Sequence, residues 1–145
     1  MRPYEILLVE DNAGDALLTK EAFRLALGEK VDIFVAKDGV LAMDYLLKRG
    51  PDEEDPFPSL VLLDLNLPRK NGLEVLQEIK NNERTHHLPV IILSTSSNRR
   101  EIRKCYDMGA NSYLIKPIDF DEFVDMIRKL DQFWFNANIL PFNPE

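Results

Sequence analysis

The chain has 145 residues, 45% of them hydrophobic and 30% charged, with a formal net charge of −7. That size fits one domain with its own core, and the acidic balance argues against direct binding to nucleic acid or to an anionic membrane. A single cysteine, Cys105, excludes a disulfide framework within the chain, and no apolar run approaches the length of a membrane span. No secretory h-region precedes the first strand, so the cytoplasm is the expected compartment.

In chain order, Ile6-Leu7-Leu8-Val9 reads as a short buried strand that ends in two carboxylates, Glu10 and Asp11. A helix is expected from about Ala13 to Leu27, with Leu18, Ala22, Leu25 and Ala26 inward and Gly28 as its stop. Val31 to Ala36 alternates as an edge strand does. The next helix opens at Asp38-Gly39, turns Ala42, Met43, Leu46 and Leu47 inward, and closes at Gly50-Pro51. Asp52-Glu53-Glu54-Asp55, between prolines, reads as a solvated loop rather than a metal site.

The central strand is Ser59-Leu60-Val61-Leu62-Leu63, and it runs straight into Asp64. Arg69-Lys70-Asn71-Gly72 turns into a helix with Leu73, Leu76 and Ile79 inward. His86-His87 is expected to be exposed and inert, because side chains of loop neighbours diverge. Val90 to Leu93 is a further buried strand, followed by Ser94-Thr95-Ser96-Ser97. A helix from about Arg99 to Met108 turns Ile102, Cys105 and Tyr106 inward, with Cys105 a small core hydrophobe. Ser112 to Ile115 is the fifth strand, ending in Lys116-Pro117, and the last helix carries Phe123, Ile127, Leu130 and Trp134 on one face.

Strands alternating with helices imply an α/β fold: a doubly wound, five-stranded parallel sheet with helices on both faces and right-handed crossovers. Ligands in such sheets lie outside the carboxyl ends of the strands, at the switch between the first and third. Glu10, Asp11, Asp64, Ser94 and Lys116 all fall on that edge. Three carboxylates there repel, each pair at ~4 Å by about 4 kcal/mol at an effective dielectric of ~20. Lys116 offsets part of this, and a hard dication with oxygen ligands, Mg²⁺, suits the remainder. Asp64 is then placed to attack phosphorus, with Lys116 and the Ser94 hydroxyl on the phosphoryl oxygens.

At these residues the chain resembles the response-regulator receiver domains of two-component signalling. The matching segments are Leu8-Val9-Glu10-Asp11-Asn12, Leu62-Leu63-Asp64-Leu65-Asn66-Leu67-Pro68 with Asn71-Gly72, Pro89 to Thr95, and Tyr113-Leu114-Ile115-Lys116-Pro117. The resemblance implies a flavodoxin-like strand order of 2-1-3-4-5 and phosphorylation of Asp64 by a histidine kinase. It implies Mg²⁺ held by Asp11, Asp64 and the main-chain oxygen of Asn66, with Glu10 acting through water. It makes Ser94 and Tyr113 the coupled switch pair and the Lys116-Pro117 bond cis. Lys70 and Thr95 depart from the usual pattern, which has an apolar residue at the first and alanine or glycine at the second.

The acidic loop and the aromatic end Phe133-Trp134-Phe135 with Leu140-Pro141 resemble the stand-alone regulators paired with bacterial and cyanobacterial phytochrome kinases. Residues 1–145 are accordingly expected to form one receiver, with 131–145 as a C-terminal extension. The apolar surplus Phe133, Phe135, Ile139, Leu140 and Phe142 is expected to support a homodimer through the last helix and the tail, the rival being a staple folded back on the same domain. No enzymatic activity is expected beyond self-catalysed phosphorylation and dephosphorylation. A phosphorelay intermediate is the alternative role. A Mg²⁺-dependent phosphatase would need a second acid where Asn66 stands, and a flavodoxin-like cofactor binder would meet repulsion from Glu10 and Asp11.

Overall fold

The computed structural model describes residues 2–50, 55–67 and 70–142. Five strands, β1 (Tyr4–Val9), β2 (Val31–Ala36), β3 (Leu60–Leu63), β4 (Val90–Ser94) and β5 (Ser112–Ile115), alternate with five helices. The helices are α1 (Ala13–Leu27), α2 (Gly39–Leu47), α3 (Gly72–Asn81), α4 (Arg99–Asp107) and α5 (Phe120–Leu130), and a π-helical turn, Asp131–Ala137, extends the last. All pairings are parallel and the strand order is β2-β1-β3-β4-β5, as expected.

Each helix starts on an Asn or Asp whose side chain accepts a main-chain N–H of the first turn: Asn12, Asp38, Asn71, Asn98 and Asp119. Such a cap contributes about 1 kcal/mol and explains why the helices begin just past the strand ends. β3 and β4 are buried along their whole length, and β2 alternates at the edge. One core lies between the sheet and α2, α3 and α4, the other between the sheet and α1 and α5.

Several inward faces differ from expectation. α1 turns Ala16, Thr19, Ala22 and Phe23 inward and leaves Leu17, Leu18 and Leu25 exposed. Small residues on that stripe let α1 lie close against α5. On α2, Tyr45 is buried and Leu47 exposed; on α4, Cys105 is buried as expected but Tyr106 is exposed. On the last helix Phe123, Ile127 and Leu130 are inward, while Trp134 is only partly buried.

The tail packs on its own domain. Phe135 and Leu140 join the α1/α5 core, Phe135 stacks on Tyr4 at 4.3 Å, and the Tyr4 hydroxyl donates to the Phe135 carbonyl at 3.2 Å. Lys30 Nζ pairs with Asp131 at 2.5 Å, and Phe142 lies on His87 and Phe57. The apolar surplus is thereby reduced to Phe133 and Ile139, with exposures of 54% and 85%. His86 is exposed as expected, whereas His87 is half-buried, and burial pushes its pKa down. Asp52, Glu53 and Glu54 of the acidic loop, together with Pro68, lie outside the described residues.

Candidate functional site

The register of the sheet places the acidic residues. Val9 of β1 is level with Leu63 of β3, so the next residues, Glu10 and Asp64, leave the sheet side by side. One further ladder bond holds each exit: Glu10 N–H donates to Ala36 O at 3.0 Å, and Asp64 N–H to Val9 O at 3.1 Å. At the other edge Lys116 N–H donates to Ser94 O at 2.7 Å. Gly72 completes the placement. Its N–H donates to Leu65 O, and a Cβ there would sit 2.4 Å from Asp64 O and 2.5 Å from Leu65 Cα. Only glycine lets α3 start this close to the backbone of Asp64.

Carboxylate oxygens of Glu10, Asp11 and Asp64 all lie within 4.8 Å of one another. Glu10 is buried, Asp64 half-buried and Asp11 exposed. Lys116 Nζ approaches Glu10 Oε1 at 3.7 Å. The Asn12 amide donates to Glu10 at 3.2 Å and the Asn66 amide to Asp64 at 3.3 Å. Burial first, and the charge of Asp64 second, raise the Glu10 pKa to about 7, against the Asn12 amide and Lys116. Burial raises the Asp64 pKa as well, with Asn66 N–H opposing it. Acids that resist ionisation until a cation arrives are what a clustered oxygen-donor site should show.

These residues, with Asn66, Ser94 and Thr95, line one open cavity of about 330 Å³. A water occupies about 30 Å³ of liquid, so there is room for a phosphoryl group and hydrated ligands. Among the described residues no other group of three or more acidic, His or Cys side chains converges this way. Thr95 is exposed at the mouth, and Lys70 lies outside the lining, paired with Glu78.

The structure corrects one expectation at the site's edge. The bond before Pro117 is trans, since no peptide bond among the described residues is cis. An X–Pro bond favours trans by only about 0.5–1 kcal/mol, so its isomer is decided by surroundings rather than by the dipeptide. Tyr113 already points inward: its hydroxyl donates to Ser96 O at 2.8 Å. Ser94 Oγ is buried beside it and accepts the Ser96 N–H at 3.1 Å. Ser96 was not singled out in the sequence, where it is one of three hydroxyl residues following Ser94.

The model of the response regulator receiver domain family matches residues 6–128. The chain is 37% identical over 139 residues to Response regulator Rcp1 of Synechocystis, covering 96% of this chain and 94% of that protein. It is 41% identical over 140 residues to the probable methanogenesis regulatory protein FilR2 of Methanothrix harundinacea, covering 96% and 88%. The crystal structure of the phosphorylated cyanobacterial phytochrome response regulator RcpA superposes with a TM-score of 0.85 at 36% identity, over 97% of this chain and 99% of that one. The Mn²⁺-bound form of Rcp1 superposes with a TM-score of 0.82 at 37% identity, over 97% and 100%. With five parallel strands in this order and an acid cluster at their carboxyl ends, the chain belongs to the response-regulator receiver family.

Proposed function

We propose that this protein is a stand-alone receiver that takes a phosphoryl group from a histidine kinase onto Asp64 and signals by altered partner binding. The observation that carries the reading is the convergence of Glu10, Asp11 and Asp64 within 4.8 Å, with Lys116 3.7 Å from Glu10. Asp11, Asp64 and the Asn66 main-chain oxygen would hold Mg²⁺, with Glu10 acting through a water. When bound, the ion supplies positive charge against the phosphoryl oxygens. The Asp64 carboxylate attacks phosphorus as the kinase's phosphohistidine P–N bond breaks and its imidazole leaves, the Lys116 ammonium takes a second phosphoryl oxygen, and the buried Ser94 hydroxyl donates to a third. Return of the group to water is the same site's own reaction, and no other substrate is turned over.

The proposed kinase-docking surface is the neighbouring pocket that shares Asp15 and Lys116 with the site and is lined by Leu18 and Ile118. Leu18 on α1 is 53% exposed and Ile118, just past Lys116, is fully exposed. RcpA, a phytochrome response regulator matched over 99% of its length, supports a phytochrome-type donor, and we place that exchange in the cytoplasm. Phosphorelay transfer is the second reading, supported by 32% identity over 125 residues to sporulation initiation phosphotransferase F of Bacillus subtilis. Exposed Phe133 and Ile139 support pairing of two copies beside the last helix.

The test is labelling by a phytochrome-type kinase and by acetyl phosphate in Mg²⁺. Both should label the parent, and Asp64→Asn should abolish both, because only the carboxylate forms an acyl phosphate. Undiminished labelling of the variant refutes the acceptor. Labelling by acetyl phosphate but not by the kinase refutes the pairing alone.

A further inference from the structure

One residue joins Ser94 of the candidate site to two separate elements, α4 and Tyr113 of β5. Ser96 donates its main-chain N–H to Ser94 Oγ at 3.1 Å and accepts the Tyr113 hydroxyl on its carbonyl at 2.8 Å. Its own hydroxyl donates to Glu101 Oε2 at 2.7 Å and accepts the Asn98 N–H at 3.2 Å. Asn98 and Glu101 belong to the start of α4: Asn98 caps the helix and Glu101 lies in its first turn. A short bond from a hydroxyl to a carboxylate is charge-assisted and directional, so it transmits displacement.

α4 depends on that attachment. Cys105 is its one buried residue, and its other side chains are polar or partly exposed. A helix with so little apolar anchoring takes its position from its ends. The C-terminal end is set by the turn at Gly109, whose N–H bonds to Tyr106 O. The N-terminal end is set by Asn98 and by the Ser96–Glu101 bond.

We infer that the Ser96 hydroxyl, through Glu101, is the link that makes α4 follow the state of Asp64, separately from the Tyr113 route. This rests on the receiver reading above. When the Ser94 hydroxyl turns to donate to a phosphoryl oxygen, the Ser96 N–H loses or reorients its acceptor. The main chain at Ser96 shifts, and its side chain carries Glu101 and the first turn of α4 with it. Tyr113 responds through the Ser96 carbonyl, which needs no side chain. The two responses are therefore separable by mutation.

The experiment uses beryllium fluoride with Mg²⁺ as the phosphoryl mimic on the full chain. Amide hydrogen exchange reports α4, and fluorotyrosine NMR reports Tyr113, with Tyr113→Phe assigning its resonance. In the parent both should respond. Ser96→Ala should bind the mimic and shift the Tyr113 resonance but lose the change in exchange over Arg99 to Asp107. Glu101→Ala should behave alike, and Ser96→Thr, which restores a hydroxyl, should restore the α4 response. An α4 response in Ser96→Ala equal to the parent's overturns the link, as does joint loss of both responses with mimic still bound. Failure of the parent to bind the mimic at all overturns the receiver reading, and the link with it.

Discussion

Glu10→Gln should make the metal-free protein more stable at pH 8 and barely change it at pH 4.5. In the folded chain Glu10 titrates near 7, against an ordinary value of 4.5. Between those values the fold holds a proton that the unfolded chain releases. Stability therefore falls as pH rises through this window, present in full below about 4.5 and lost above about 7. The interval is worth about 3 kcal/mol, a sizeable part of a typical margin of roughly 5–15. Glutamine cannot ionise, yet its amide oxygen still accepts the Asn12 N–H that Glu10 holds at 3.2 Å. Lys116 loses a partner at 3.7 Å but keeps Asp64 within the same cavity, which offsets about 1 kcal/mol. A net gain of about 2 kcal/mol at pH 8 follows. Urea midpoints of parent and variant in a chelating buffer at pH 4.5, 6, 7 and 8 measure it. A stability difference that stays flat across that range, or a variant less stable at pH 8, refutes the account of Glu10 as a strained buried acid.

Asp11→Asn should stabilise the metal-free protein by a smaller amount, about 1 kcal/mol, because Asp11 is exposed and its repulsion is screened. The same change should weaken Mg²⁺ binding, read by titration; unchanged affinity would remove Asp11 from the ligand set. In the tail, Phe135→Ala should cost about 3 kcal/mol or more, since that ring is buried on Tyr4, whereas Phe133→Ser with Ile139→Ser should leave unfolding unchanged and shift sedimentation toward monomer. A parent that sediments as a monomer at micromolar concentration, phosphorylated or not, ends the dimer proposal.

The strands and their polar ends were legible because each is a local signal. Leu60 to Leu63 is an unbroken branched run, and a carboxylate directly after it is anomalous without any knowledge of neighbours. The inward face of α1 was not legible. It leaves three leucines, Leu17, Leu18 and Leu25, exposed and buries Phe23 with the small residues Ala16, Thr19 and Ala22 instead. That choice depends on how closely two distant helices approach, which no local pattern encodes. The inward places of Phe135 and Leu140 were illegible for the same reason: Phe135 finds Tyr4, 131 positions earlier. The isomer at Pro117 and the inward setting of Tyr113 depend on differences smaller than the packing around them. Ser96 carries a common residue type in a polar run, and only the positions of Glu101 and Asn98 distinguish its hydroxyl from its neighbours'.

The distribution of burial explains where charge is held and where motion is allowed. When both are ionised, Glu10 and Asp64, whose carboxylate oxygens lie within 4.8 Å of each other, repel by about 3 kcal/mol or more at an effective dielectric of ~20. On a loop, that force would spread them apart. Here Glu10 and Asp64 are the first residues past β1 and β3, the two strands at the centre of the site, and each exit is still tied by a ladder bond. Leu60 to Leu63 is wholly buried, and Ile6 to Val9 is at most 2% exposed, so the pair cannot part without opening the core. The opposite holds at the far edge of the sheet. β5 has no buried residue and α4 has one, so displacement there breaks few apolar contacts. On the proposed reading, a change of charge at Asp64 is resisted where it arises and relaxes across Ser94 and Ser96 toward α4 and Tyr113. Rigid strands keep the acids close enough to favour a cation, and in the switch we propose the lightly held edge is where neutralisation of that charge becomes a change of surface.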